Sequence, residues 1–164
     1  PGASPGVQID RGGQVTDHGP GQLMVYPLID LRRRGLGVRD LVSALEQSVV
    51  ALLNDHAIAA HAKKEAPGVY VGEVKVASVG LRIRRGCRFH GMALNVNVDL
   101  EPFSRINPCG FANLELTDLK RLGAGDDLTS VSEQLLPHFA RRIGLADSDI
   151  HHEKGEALPE AGAA

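Results

Sequence analysis

KVASVGLRIRRGCRFHGMALNVNVDLEPFSRINPCG, residues Lys75 to Gly110, decides the fold. Two apolar-alternating runs flank a basic turn, Arg84-Arg85-Gly86-Cys87-Arg88. Alternation with period two is the pattern of a half-buried strand. The segment therefore predicts two strands, Val74 to Ile83 and Phe89 to Val98, joined at a charged tip. Asn95, Asn97 and Asp99 end the apolar character of the second strand, and Pro102 to Pro108 predicts a loop or a single helical turn. The stretch also holds both cysteines of the chain, with His90 and an apolar-flanked Lys75. These are residue types from which a nucleophilic site is made.

Working outward, Val69 to Val71 precedes Gly72-Glu73 and the first strand, which has the form of a hairpin. Toward the N-terminus, Leu23 to Leu31 reads as a strand that Pro27 pushes to an edge or bulge. Leu41, Leu45, Val49 and Leu52 recur on one face and predict a helix to about His56, with Asp40 as its cap. His56 and His61 read as exposed groups near that helix end. Toward the C-terminus, Leu114 to Leu122 predicts a short helix. Ser130 with Glu133 has the capping-box pattern, followed by a face of Val131, Leu135, Phe139 and Ile143 that Pro137 would kink or break. The order of elements gives an α+β (mixed α/β) fold with a largely antiparallel sheet flanked by helices. Residues 1–146 form the expected domain, and residues 147–164 a charged, small-residue-rich tail without structure.

At 164 residues and 43% hydrophobic content, the chain is long enough for a core. Eighteen basic and twenty acidic side chains leave a net charge of -2, which gives no general attraction to nucleic acid or anionic membrane. With no Trp and few other aromatics, a base-stacking platform is not expected. Two cysteines make no disulfide framework and fit a reducing, cytoplasmic compartment. Cys87 and His90 lack a second ligand pair, so no metal site is expected. The glycine-dense RGGQVTDHGPGQ, Arg11 to Gln22, ends in neither a P-loop nor a dinucleotide signature.

Among nucleophile candidates, Cys109 lies in a Pro-Cys-Gly turn whose following backbone N–H groups can hold an oxyanion. A lone cysteine is more often an apolar core filler. Its partner base is open between Lys75, His90 and His18. Strand alternation on its own favours the solvated side for Lys75. An inward face would instead favour the neutral amine, which can take a thiol proton.

Taken together, RGGQVTDHGPGQ, KVASVGLRIRRGC, FHGMALNVNVDL and INPCG, in that order, resemble the lipoyl(octanoyl) transferases of lipoic acid synthesis. The resemblance runs from about Val7 to Phe111. It implies a fold related to lipoate- and biotin-protein ligase catalytic domains. The reaction it implies moves an octanoyl group from acyl carrier protein to a lysine of lipoyl domains, those of 2-oxoacid dehydrogenases and the glycine cleavage H protein. The family's nucleophile matches Cys109 and its lysine matches Lys75. Ser78, Val79 and Gly80 match the adjoining substrate-contacting segment. Arg11, Gly12, Gly13, Gln14, Val15, Thr16, Asp17 and His18 match one acyl-lining loop, and Gly91, Met92 and Ala93 match another. Because the donor thioester is already activated, no cofactor or metal is implied. The arginines from Arg82 to Arg88 gain a role against acidic carrier and lipoyl domains. Asp17 stands where relatives carry an aromatic, often Tyr, so either its side chain is expected to point away from the acyl chain or the pocket mouth differs. Relatives also have a further segment ahead of the glycine loop, which leads to the expectation of a fragment or truncated domain. The alternatives are an ATP-dependent lipoate or biotin ligase, which would not need Cys109, and a non-catalytic fragment that binds lipoyl domains.

Overall fold

The computed structural model describes residues 19–84, 87–101 and 115–153. Strand β1 (Gln22–Val25) leads to helix α1 (Val38–Asp55), and then come β2 (His61–Ala62), β3 (Gly68–Val71), β4 (Val74–Arg84) and β5 (Cys87–Asn95). Helices α2 (Leu119–Leu122) and α3 (Leu128–Arg142) follow, and a 3-10 turn spans Asp147–Asp149. The strands form one five-stranded sheet in the order β1-β5-β4-β3-β2, with each adjacent pair antiparallel. The expected α+β architecture is therefore present. The predicted β4–β5 pair is its centre: Ala77 lies opposite Leu94, and the register continues to Arg84 opposite Cys87.

One face of the sheet packs on the helices. The predicted stripe of α1 is buried there, and Leu45, Val49, Leu52 and Leu53 are each 0% exposed. Full burial of such a side chain contributes about 1.5–3 kcal/mol. Leu94, Val69 and Val76 meet this stripe from the sheet, and Val131, Leu135 and Phe139 meet it from α3. Two polar contacts join the helices at their surface. His138 Nε2 lies 2.6 Å from Asp55 Oδ2, and His56 Nε2 lies 3.0 Å from Gln134 Oε1.

Several element ends differ from the sequence expectation. Strand β1 stops at Val25, because Tyr26 and Leu28 turn outward and only Gln22 to Val25 find a partner on β5. Its start depends on Gly21, at φ +87, where a Cβ would collide with the Asn97 carbonyl. The cap of α1 is Gly37, and Asp40 Oδ2 reaches back to accept the Gly37 N–H at 2.6 Å. The cap of α3 is Asp127, whose carboxylate accepts the Ser130 N–H at 2.8 Å, in place of the expected Ser130–Glu133 box. Helix α3 runs unbroken through Pro137. The carbonyl four residues back belongs to exposed Glu133, where water can replace the missing N–H. The expected helix from Leu114 shortens to Leu119–Leu122, since Leu116 instead forms a parallel bridge with Lys75. The two-residue strand β2 was too short to leave a periodic signal. At the start of the expected tail, Arg141 holds Asp147 through a 2.8 Å contact. No described helix is long and apolar enough to cross a membrane.

Candidate active site

A regular strand sends residues at odd separation to opposite faces, so Lys75 and Ser78 should look away from each other. The β3–β4 pairing reverses this. Val69 lies opposite Ala77, yet the next residue, Tyr70, lies opposite Lys75. Val76 is thereby an extra residue, a β-bulge that returns Lys75 to the face of Ser78. On β5, Ala93 is opposite Ser78 and Gly91 is opposite Gly80. Lys75, Ser78, Gly80, Gly91 and Ala93 therefore share the face turned away from the helices. Val79 and Met92 pair with each other on the helix side, so they can meet a ligand on the Lys75 face only through their backbones.

The solvated position that alternation favoured for Lys75 is not observed: it is 2% exposed. Its backbone is pinned on both flanks. Tyr70 pairs it on one side, and on the other its N–H donates to the Glu115 carbonyl and its carbonyl accepts the Thr117 N–H, both at 2.9 Å. Residues 115–117 thus occupy the position beside β4 that β5 has vacated. Asn95, 5% exposed, secures that insertion: its Nδ2 donates to the Thr117 carbonyl at 3.1 Å, and its Oδ1 accepts from Gln22 Nε2 at 2.9 Å.

The side chain of Lys75 runs along Gly68. A Cβ on Gly68 would lie 2.5 Å from Lys75 Cε and 3.3 Å from Nζ, and Gly68 itself has φ +144. Only a glycine fits there. The amine lies 5.7 Å from the centroid of the Tyr70 ring, which is 1% exposed and donates its hydroxyl to the Ala66 carbonyl at 2.9 Å. Behind Gly68 stands Glu46 of α1, 8% exposed, whose Oε1 accepts the Gly68 N–H at 2.9 Å. Burial pushes the Glu46 carboxyl above its ordinary range, while the Gly68 N–H and the Lys75 charge pull it back down. Across the sheet, the Tyr26 ring covers Gly91, where a Cβ would lie 2.9 Å from the ring carbons.

Sequence reasoning missed Glu46, Gly68, Tyr70, Tyr26 and Asn95. Glu46 had a signal: it interrupts the apolar row Val42, Val49, Val50 and Leu53 on α1. Cys109 and the loop from Arg11 to His18 lie outside the described residues, as do the side chains of Cys87, His90 and Arg82 to Arg88. Among the described residues, no group of three or more His, Cys, Asp and Glu is gathered for a metal. A separate apolar cleft of about 270 Å³ opens between β1 and the helices, lined by Leu23, Val25, Met92, Leu135 and Phe139. It lies on the helix side, with the sheet between it and Lys75.

Comparison with known proteins shows the family and the fold. The lipoyl protein ligase A/B catalytic domain family matches residues 4–140. An octanoyltransferase of Shewanella halifaxensis is 52% identical over 161 residues, covering 98% of this chain and 72% of that protein. One from a Marinomonas species is 59% identical over 144 residues, covering 88% and 67%. In solved structures, biotin protein ligase from Aquifex aeolicus superposes with a TM-score of 0.56 at 22% identity, over 75% of this chain and 53% of that one. A lipoate-protein ligase A bound with ATP gives 0.53 at 13%, over 76% and 51%. These structural likenesses concern the fold, and this chain spans about half the length of those ligases. With the sequence similarity extending over nearly the whole chain, the chain belongs to the octanoyltransferase family, within the lipoyl protein ligase A/B catalytic domain family.

Proposed function

We propose that the octanoyl transfer of this family runs, in this chain, through a thioester on Cys109 with Lys75 as the proton acceptor. The burial of Lys75 on a face of small residues carries the reading. The lysine side chain is enclosed against Gly68, on the sheet face it shares with Ser78, Gly80 and Ala93, with little water to compete for its amine. The chain also tethers the two groups. Glu115 bonds the Lys75 N–H, and it follows Cys109 by 115 − 109 = 6 residues. Even fully extended, that link spans at most about 22 Å.

In the first half-reaction, the Cys109 thiol gives its proton to the Lys75 amine, and the thiolate attacks the carbonyl of octanoyl-acyl carrier protein. Backbone N–H groups after Cys109 hold the oxyanion. The carbon–sulfur bond to the carrier breaks, and the carrier thiolate takes the proton from Lys75. In the second, the neutral lysine amine of a lipoyl domain attacks the Cys109 thioester. An amide forms, the Cys109 thiolate leaves, and the proton lost by nitrogen restores the thiol–amine pair. Splitting one difficult transfer into two is ordinary covalent catalysis.

Ser78, Gly80, Gly91 and Ala93, with the backbones of Val79 and Met92, form one wall for the acyl chain. The loop Arg11, Gly12, Gly13, Gln14, Val15, Thr16, Asp17 and His18 forms the other. The donor is octanoyl-acyl carrier protein, and the acceptors are the lipoyl domains of 2-oxoacid dehydrogenases and the glycine cleavage H protein, in the cytoplasm. Arg82, Arg84, Arg85 and Arg88 favour the encounter with these partners, which are typically acidic. Residues 1–146 belong to the catalytic domain.

The test uses octanoylated carrier protein, an apo lipoyl domain and no nucleotide. One octanoyl group appears on the acceptor lysine, and free octanoate with ATP does not replace the donor. Transfer that requires ATP contradicts the proposal and favours the ligase reaction.

A further inference from the structure

A buried carboxylate is costly unless its surroundings use it, and Glu46 is at 8% exposure on a helix whose neighbouring positions are apolar. Its hydrogen bond goes to Gly68, the residue whose bare Cα forms the seat of the Lys75 side chain. Gly68 cannot move without opening or closing that seat, because its φ of +144 and the Ala77 carbonyl, 2.4 Å from any Cβ placed there, fix it from the other side. Glu46 therefore connects α1 to the amine through a single peptide unit. Its negative charge also acts on the Lys75 charge directly.

We infer that Glu46 is the positioning residue of Lys75: it fixes the Gly68 seat and supplies the negative charge that holds the Lys75 ammonium after proton transfer. The inference rests on the Cys109–Lys75 reading above. Further described charged or titratable groups near Lys75 form a cluster at the β2–β3 edge. Tyr70 lies beside the amine, His61 stacks on Tyr70 at 6.0 Å, and Lys63 lies 4.4 Å over the same ring and is paired with Glu73. Segment 115–117 contributes its backbone, and the Glu115 side chain is exposed. Glu46 is the carboxylate buried on the helix side of the amine.

The Glu46 charge favours the ammonium form of the amine it acts on, and its loss disfavours that form. Glu46→Gln keeps an oxygen to accept the Gly68 N–H and removes the charge, with an amide nitrogen in place of the second oxygen. Its kcat/KM pH profile, measured from neutral to alkaline pH, moves toward acid. Glu46→Asp keeps the charge on a shorter arm: its profile stays in place while kcat falls. Circular dichroism shows that both variants are folded. An E46Q profile that superimposes on the wild type, with Lys75→Ala inactive, overturns the role of Glu46 and leaves the dyad intact. An E46D profile displaced toward acid from that of the wild type also overturns it, and this comparison decides the matter should E46Q not fold. Lys75→Ala acylated at the wild-type rate would remove the dyad itself, a failure distinct from the other two.

Discussion

Gly68→Ala adds one methyl group where the structure leaves no room. The new Cβ would lie 2.4 Å from the Ala77 carbonyl oxygen and 2.5 Å from Lys75 Cε. The carbonyl belongs to the β4 ladder and cannot yield, so the lysine side chain is the group that moves. A residue with a side chain at φ +144 adds backbone strain of about 1–3 kcal/mol. Overpacking adds about 1–3 kcal/mol more, part of which relaxes as Lys75 swings away. The net loss is about 2–4 kcal/mol, and a fall in Tm of roughly 4–16 °C follows for a domain of this size. Urea titration gives the stability, and the rate of thioester formation from octanoyl carrier protein gives the chemistry. The acylation rate should fall further than the folded fraction alone explains, because the amine is displaced even in folded molecules. Gly80→Ala is the control for stability alone, since nothing lies within 4 Å of a Cβ there and Gly80 belongs to the proposed acyl wall. It should change stability by about 0.5 kcal/mol or less. A G68A protein with the urea midpoint and acylation rate of the wild type would refute the seat.

Asp118 is 0% exposed, caps α2 through the Arg121 N–H at 2.8 Å and accepts the Val98 N–H at 3.0 Å, with the Arg121 guanidinium also on it. Asp118→Ala leaves those donors unsatisfied and should cost about 2–4 kcal/mol by urea unfolding; a cost below about 0.5 kcal/mol would contradict the network. Glu46 gives a pH-dependent stability. Burial holds its folded pKa above the ordinary 4.5, so the folded state binds this proton more tightly than the unfolded chain does. The resulting stability is full below the unfolded value and is lost as pH rises through the folded one. The stability of E46Q relative to wild type should therefore rise from acid to neutral pH, and a flat difference would show that the carboxylate is not desolvated.

Where apolar periodicity spans several turns or a whole hairpin, the sequence was legible. The stripe from Leu41 to Leu52 became the buried face of α1, and the runs around Gly72-Glu73 and Gly86-Cys87 became β3, β4 and β5. Elements set by tertiary pairing were not legible. The stretch before Leu119 looks helical by composition, but Leu116 is drawn beside Lys75 by hydrogen bonds to a strand distant in sequence. The bulge at Val76 is the decisive case. Alternation from Val74 onward assigns Lys75 to one face, and one extra residue in the register assigns it to the other. Nothing local in Val-Lys-Val-Ala marks that residue. Family resemblance named Lys75 as a candidate, and the bulge supplies the physical reason that a lysine and a serine at odd spacing can face one side of the sheet. Gly68 and Glu46 escaped notice because their roles depend on the position of Lys75.

The most direct measurement is intact-protein mass spectrometry after mixing with octanoyl carrier protein in the absence of acceptor. One octanoyl adduct should appear, peptide mapping should place it on Cys109, and an apo lipoyl domain should discharge it. Cys109→Ala should carry no adduct, and Lys75→Ala should acquire it far more slowly. An unmodified wild-type protein that still transfers octanoyl to the acceptor, or an adduct that persists in the Cys109→Ala protein, would contradict the account.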